Sequence, residues 1–191
     1  MAHNTFALNA ITLKMSKITI PEAIKTLKSG QIIIYPTEGV WGLGADPLNQ
    51  GALNNIYALK QRPTNKPFLV IAASLTQVAQ WASLTRAQTE IINTPTNTPT
   101  TWLVPASSDA PESLTQKNKI AFRISSHPTC QALCNGLGSP IISTSANLHA
   151  QPVKPDMFSI DFPDIPVVQG QLGNSTQPSR IIDIVTMQQL R

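Results

Sequence analysis

The chain has 191 residues, with 14 Lys and Arg against 10 Asp and Glu for a formal net charge of +4, and 41% of its residues are hydrophobic. That is enough apolar material for one buried core without disulfides or a structural metal, and no apolar run approaches the ~20 residues of a membrane helix. The opening residues lack the apolar block and cleavage site of a secretory signal, and so modest a basic excess does not by itself distinguish a nucleotide partner from RNA or from none.

In chain order, residues 1–17 read as a flexible, polar N-terminal arm with Met15 as a second candidate start, and 18–191 read as a single domain. Thr19, Pro21 and Glu22 open a helix that Gly30 ends. Gln31 to Tyr35 is a continuous apolar run, the pattern of a buried strand. Gly39, Gly42 and Gly44 predict a turn-rich loop, and Leu53, Ile56 and Leu59 mark a helix reaching about Gln61. Phe68 to Ala73 reads as a second buried strand, followed by short helices over 75–84 and 86–93. The segment 94–100 is a loop, 101–105 a strand, 107–118 a polar loop, 119–124 a strand and 128–137 a helix. A strand enters at 139–143 and passes into a polar loop at 144–147; 151–166 is Pro-rich and irregular; Val167-Val168 and 180–185 close the domain as strands. Alternating strands and helices argue an α/β fold with an open, twisted mixed sheet flanked by helices. In such sheets ligands gather at the carboxyl ends of strands.

Cys130 and Cys134 sit on one helix face, a poor geometry for a disulfide, and read as small buried side chains of a reduced, cytoplasmic protein. Cys130 and Cys134 as half of a metal site would need a second pair of ligands that is not in sequence reach. His3, His127 and His149 follow no metal-ligand spacing.

Five constellations could carry chemistry. Lys60-Gln61-Arg62-Pro63 with Lys66 is a cationic turn, readable either as helix-dipole compensation or as a phosphate site in which Arg supplies a planar fork and Lys a point charge. Ser143-Thr144-Ser145-Ala146-Asn147 is either a Ser/Asn turn or a set of neutral donors at a strand end. Tyr35-Pro36-Thr37-Glu38-Gly39, with Trp41 to Gly44 beyond, is a glycine-rich segment that matches no Walker or dinucleotide spacing. Arg123 in an apolar strand needs a partner, a ligand or an edge. Ser179-Arg180 before the last strand is a turn or a second phosphate contact.

Taken together, YPTE with WGLG, KQRP, AFR, STSAN and PSRIID, in this order from Ile20 to Asp183, resemble the YrdC/TsaC family. The resemblance implies a YrdC-like fold with a concave basic cavity, in the short form that lacks a C-terminal extension. It implies an enzyme, a nucleotidyltransferase that joins L-threonine, bicarbonate and ATP into threonylcarbamoyl-AMP with release of pyrophosphate, for threonylcarbamoyladenosine in tRNA. By motif, Lys60, Arg62 and Arg180 become catalytic; Lys60, Arg62, Ser145, Asn147, Ser179 and Arg180 bind ATP; Thr37, Thr101, Arg123 and Ser143 line a threonine pocket. Mg2+ rides on the phosphates. Expected partners are tRNA-modification proteins and double-stranded RNA or tRNA, with no membrane. The family's PGPxT segment is Asn97-Thr98-Pro99-Thr100-Thr101 here and lacks the glycine, and Lys66-Pro67 stands where many members carry His or Gly. The rival readings are a non-catalytic RNA-binding module and the carbamoyl-adenylate chemistry of hydrogenase maturation, which belongs to much longer chains.

Overall fold

A capping box opens the first helix of the computed structural model, which describes residues 15–153 and 161–191. The Thr19 N–H donates to a Glu22 carboxylate oxygen at 2.7 Å and starts α1 (Ile20–Lys28). A short strand, β1 (Lys17–Ile18), precedes it where the sequence suggested the end of a polar arm; residues 1–14 of that arm lie outside the described residues.

The glycine-rich segment expected as a loop is instead the second strand of a hairpin. β2 (Ile33–Pro36) pairs antiparallel with β3 (Trp41–Gly44), and the turn is closed by the Thr37 hydroxyl donating to the Val40 carbonyl at 2.8 Å. The cause is the Tyr35 ring, which packs against both Gly42, its cross-strand partner, and Gly44. A β-carbon on Gly44 would stand 2.8 Å from Tyr35 Cε1, and one on Gly42 3.2 Å from it. Here the glycines serve close packing rather than a turn.

α2 (Gln50–Lys60) is capped by the Asn49 side chain, which accepts from the Ala52 N–H at 2.9 Å. It ends on Gln61, a non-glycine residue in the left-handed region at φ 51°. β4 (Leu69–Ala72) follows. The helix expected over 75–84 is replaced by two short 3-10 turns, Leu75–Gln77 and Ala79–Trp81. Tertiary ties override helix propensity there: Gln77 accepts from the Ala73 N–H at 2.8 Å and donates to the Cys134 carbonyl at 3.0 Å. α3 (Arg86–Asn93) starts on a second capping box, Thr85 with Gln88.

β5 (Thr100–Pro105) leads into the stretch expected as a polar loop, which contains one 3-10 turn and β6 (Thr115–Gln116), a short partner of β7 (Lys119–Ile124). α4 (Pro128–Leu137) ends on Gly138 at φ 79°. β8 (Ile141–Ser145) runs two residues further than expected because Thr144 and Ser145 pair with Leu43 and Gly42. β9 (Val167–Val168) and β10 (Arg180–Asp183) complete a sheet in the order β1-β9-β2-β3-β8-β4-β7-β5-β10. Part of the irregular stretch expected at 151–166 lies outside the described residues.

The sheet is mixed, with β4/β7 and β5/β10 parallel and β2/β3, β3/β8, β4/β8 and β5/β7 antiparallel. Register fixes the faces. Ile34 stands opposite Leu43, and Ile142, Val70, Phe122 and Trp102 form one cross-strand row; all pack with α2 and Ile92 of α3. Alternation puts Ile33, Tyr35, Ile141 and Ile71 on the other face, against Ala23 and Leu27 of α1 and Cys130, Leu133 and Cys134 of α4. Burying each Leu or Ile here contributes roughly 1.5–3 kcal/mol. The two thiols are fully buried as expected, and burial pushes both up to about 12, so they stay protonated and inert.

Gly44→Ala is expected to destabilise the protein by about 1–3 kcal/mol, since the new methyl meets a ring that cannot retreat. Denaturant unfolding of the two proteins checks it; an unchanged midpoint would show that the hairpin can open around the methyl.

Candidate active site

The residues singled out from the sequence fall into three contacting groups. The first lies between the end of α2 and the end of β8. Lys60, only 2% exposed, sends Nζ to the Ser145 carbonyl at 2.5 Å and to the Asn147 carbonyl. The main chain answers in reverse, with the His149 N–H donating to the Lys60 carbonyl at 2.9 Å. Asn147 Nδ2 donates to Leu148 O at 3.0 Å and Gln151 O at 2.5 Å, leaving its buried Oδ1 without a partner. Burial, and secondarily the Arg62 charge, push the Lys60 ammonium down to about 8, against an opposing pull from Asp161. An ammonium has three donors, and the two carbonyls take two of them. Arg62 donates from Nη2 to Pro67 O at 2.9 Å and stacks its guanidinium 5.1 Å over the Phe68 ring. Lys66 Nζ stands 3.5 Å from His149 Nε2 at the exposed rim.

The second group joins β5 to β10. The buried hydroxyls of Thr101 and Ser179 are 3.0 Å apart. Arg180 does not join them. It aligns with Thr100 in the parallel register, donates to that hydroxyl at 3.0 Å and leaves its buried Nε without a partner. The guanidinium that reaches Ser179 belongs to Arg191, through Nη2 to Ser179 O at 3.0 Å and to Ser179 Oγ at 3.2 Å. Arg191 is brought back by a turn after β10, where Met187 N–H donates to Asp183 O at 2.8 Å and Leu190 N–H to Ile181 O at 2.7 Å. Desolvation first, then Arg123, hold the Arg191 guanidinium below the usual arginine range.

The third group sits at the end of β7. Arg123 Nη2 pairs with Glu38 Oε2 at 3.1 Å, and the Ser125 hydroxyl donates to Glu38 Oε1 at 2.5 Å. Arg123 therefore has the partner its strand position requires. Ser143 stands beside the Tyr35 hydroxyl, whose pKa burial raises well above the ordinary phenol range. Thr37 spends its hydroxyl proton on the Val40 carbonyl and keeps lone pairs to offer.

Since β7 runs antiparallel to β8, Arg123 and Ser145 are not on one carboxyl edge. Register unites Tyr35, Ser143, Ser145, Arg123 and Thr101 on a face instead, the same face that α1 and α4 cover elsewhere. Beside it opens a cavity of about 850 Å³ walled by the 93–100 and 173–177 segments with Glu38, Ser125, His127 and Gln131. Glu38 and His127 are the titratable side chains of that wall, and Lys60, Arg62, Arg123 and Arg180 stand outside it. The altered Asn97-Thr98-Pro99 segment is part of the wall. Glu38, Ser125 and Arg191 were missed from the sequence. Glu38 had a signal, an acid inside a quoted motif opposite an unexplained Arg; Arg191 had none, because its turn is set by tertiary bonding.

A mixed α/β sheet whose face under α1 and α4 also carries hydroxyls and a guanidinium, with a buried lysine at the end of the helix packed on its other side, places the chain among α/β proteins with polar groups gathered at one sheet. Residues 25–191 match the family model Sua5_yciO_yrdC, described as "Telomere recombination", and the chain belongs to that family. A protein of Hydrogenovibrio crunogenus called threonylcarbamoyl-AMP synthase is 39% identical over 181 residues, 91% of this chain and 97% of its own. The crystal structure of P. abyssi Sua5 complexed with L-threonine superposes with a TM-score of 0.79 at 24% identity, covering 88% of this chain and 54% of that one. The chain thus spans about half the Sua5 length. E. coli YciO superposes with a TM-score of 0.73 at 23% identity, covering 89% of both chains.

If the phosphate reading of the KQRP turn holds, pyrophosphate affinity measured by calorimetry is expected to weaken as pH rises through about 8, because the Lys60 ammonium is the form present below that value. Loss of the charge should cost about tenfold, ~1.4 kcal/mol. Lys60→Met should bind weakly at both ends of the range, whereas a flat profile in the unaltered protein would show that the charge is not felt by the anion.

Proposed function

We propose that this chain is a threonylcarbamoyl-AMP synthase: L-threonine, bicarbonate and ATP are converted to threonylcarbamoyl-AMP and pyrophosphate, for threonylcarbamoyladenosine modification of tRNA. The observation that carries the reading is the Lys60 ammonium seated on Ser145 and Asn147, which joins the two motifs of the resemblance at one point. Relatives of that name, 39% identical along 97% of the Hydrogenovibrio protein, support it.

The threonine amine adds CO2 with loss of a proton, or bicarbonate with loss of water, to give a carbamate, whose oxygen attacks the α-phosphorus of ATP as pyrophosphate leaves. Charge then grows on phosphoryl and leaving oxygens. Lys60 and Arg62 are the cations nearest that charge in this scheme, and Arg180 lies beyond Thr100 as a third. Preorganised donors in a dry site are worth far more than in water. Ser145, Asn147 and Ser179 take the nucleotide. Thr37, Thr101, Ser143 and Arg123 take the amino acid, Arg123 through its guanidinium. Arg191, on Ser179, adds a cation that the motifs did not name. Mg2+ is assigned to the ATP phosphates as part of the substrate, where it commonly keeps its waters. No helix among the described residues is long and apolar enough to cross a membrane. The proposed setting is the cytoplasm, with partner proteins receiving the product for transfer to tRNA.

Pyrophosphate release should require threonine and bicarbonate together. Lys60→Ala is expected to cut kcat/KM for ATP by about 10²–10³-fold, with circular dichroism confirming an intact fold. Tight RNA binding without threonine-dependent release would replace the enzyme reading by a binding module.

A further inference from the structure

One ion pair in this site carries two unfilled polar atoms. Arg123 Nη2 lies 3.1 Å from Glu38 Oε2, yet Oε2 receives no well-directed hydrogen bond, and the buried Arg123 Nε donates none. One is an acceptor, the other a donor. Leaving such a buried group unmatched costs about 1–3 kcal/mol, and a folded protein that keeps both calls for an explanation.

Loose packing is not that explanation, because Glu38 is held firmly. Its other oxygen takes the Ser125 hydroxyl at 2.5 Å, and that hydroxyl in turn accepts from the His127 N–H at 3.2 Å. Its backbone is clamped by a neighbouring segment: Ser175 N–H donates to Glu38 O at 2.8 Å and Gly173 N–H to Thr37 O at 2.9 Å. The approach is so close that a β-carbon on Gly173 would stand 2.6 Å from Glu38 O. A fixed carboxylate is thus presented in the wall of the 850 Å³ cavity, and it is the one carboxylate among the described lining residues.

We propose that Glu38 reads the α-ammonium of the amino-acid substrate, so that Glu38 and Arg123 together recognise a zwitterion. This rests on the reading of L-threonine as substrate and of Arg123 as part of its pocket. A free α-amino acid carries a cationic N–H donor and an anionic acceptor on one carbon, and the pair offers the complement of each. Charge-assisted bonds are roughly twice as strong as neutral ones. An α-hydroxy acid of the same shape gives Glu38 only a neutral hydroxyl, so the carboxylate selects for the amine, the group on which the carbamate must form.

The test is a cycle between protein and ligand, with binding of L-threonine and of its α-hydroxy analogue of the same configuration measured by calorimetry. The unaltered protein should favour threonine by about tenfold or more; Glu38→Gln should bring the ratio close to one, and Glu38→Asp should retain part of the preference. An unchanged ratio in Glu38→Gln, or no preference in the unaltered protein, overturns the assignment while leaving the substrate reading in place. Binding of neither acid by the unaltered protein overturns both. If Glu38→Gln does not fold, Ser125→Ala decides: it keeps the charge but frees the carboxylate, and a full wild-type ratio in that variant overturns the proposal.

Discussion

The ammonium of Lys60 crosses from the end of α2 to the end of β8, where the carbonyls of Ser145 and Asn147 take two of its protons. An unpaired charge at this depth would cost several kcal/mol, so the helix and the strand cannot part without stranding it. The His149 N–H returns a bond to the Lys60 carbonyl, and the Asn147 amide ties the following turn to itself. The motifs on α2 and β8 thus hold each other in position. Their shape is set before any ligand arrives, and the same burial that fixes the lysine brings its ammonium within reach of neutral pH.

The mixed sheet changes where a site can form. In a parallel sheet all carboxyl ends share one edge, and a ligand lies there. Here β7 and β8 run in opposite directions, so hydroxyl and guanidinium groups can converge only by sharing a face. Alternation delivers them: Ser143, Arg123 and Thr101 follow from the register that buries Ile142, Phe122 and Trp102 on the opposite side. The core and the site are two sides of one pattern, and a one-residue slip in β7 would exchange Arg123 for Phe122.

Much of the fold was legible because its signals are local. The capping box at Thr19 and Glu22, the run of β7 and the Pro128–Leu137 helix each depend on neighbouring residues. β3 was not legible, since glycine reads as a turn unless the Tyr35 ring that lies over it is known. The segment 75–84 misled for the same kind of reason: helical composition lost to Gln77 bonding Cys134, 57 residues away. For the site, the cations and hydroxyls stood out by type and spacing. Their pairings did not, because Glu38 meets Ser125 across 87 positions of sequence. Arg180 shows the limit of adjacency, since it turns to Thr100 while Ser179, just before β10, is joined by Arg191 instead.

Gln61 stands between the two cations of the KQRP turn with its backbone in a conformation that most side chains avoid. That single torsional reversal sends Lys60 inward and Arg62 out over Phe68 from nearly the same point on the chain. A glycine would adopt it with less strain but would also wander from it, and each degree of drift would swing one positive charge about the other. The separation of charges in this corner is therefore held by stiffness at a hinge, and a change that improved the melting temperature there could blur the spacing of the two cations on which the proposed phosphate contact depends.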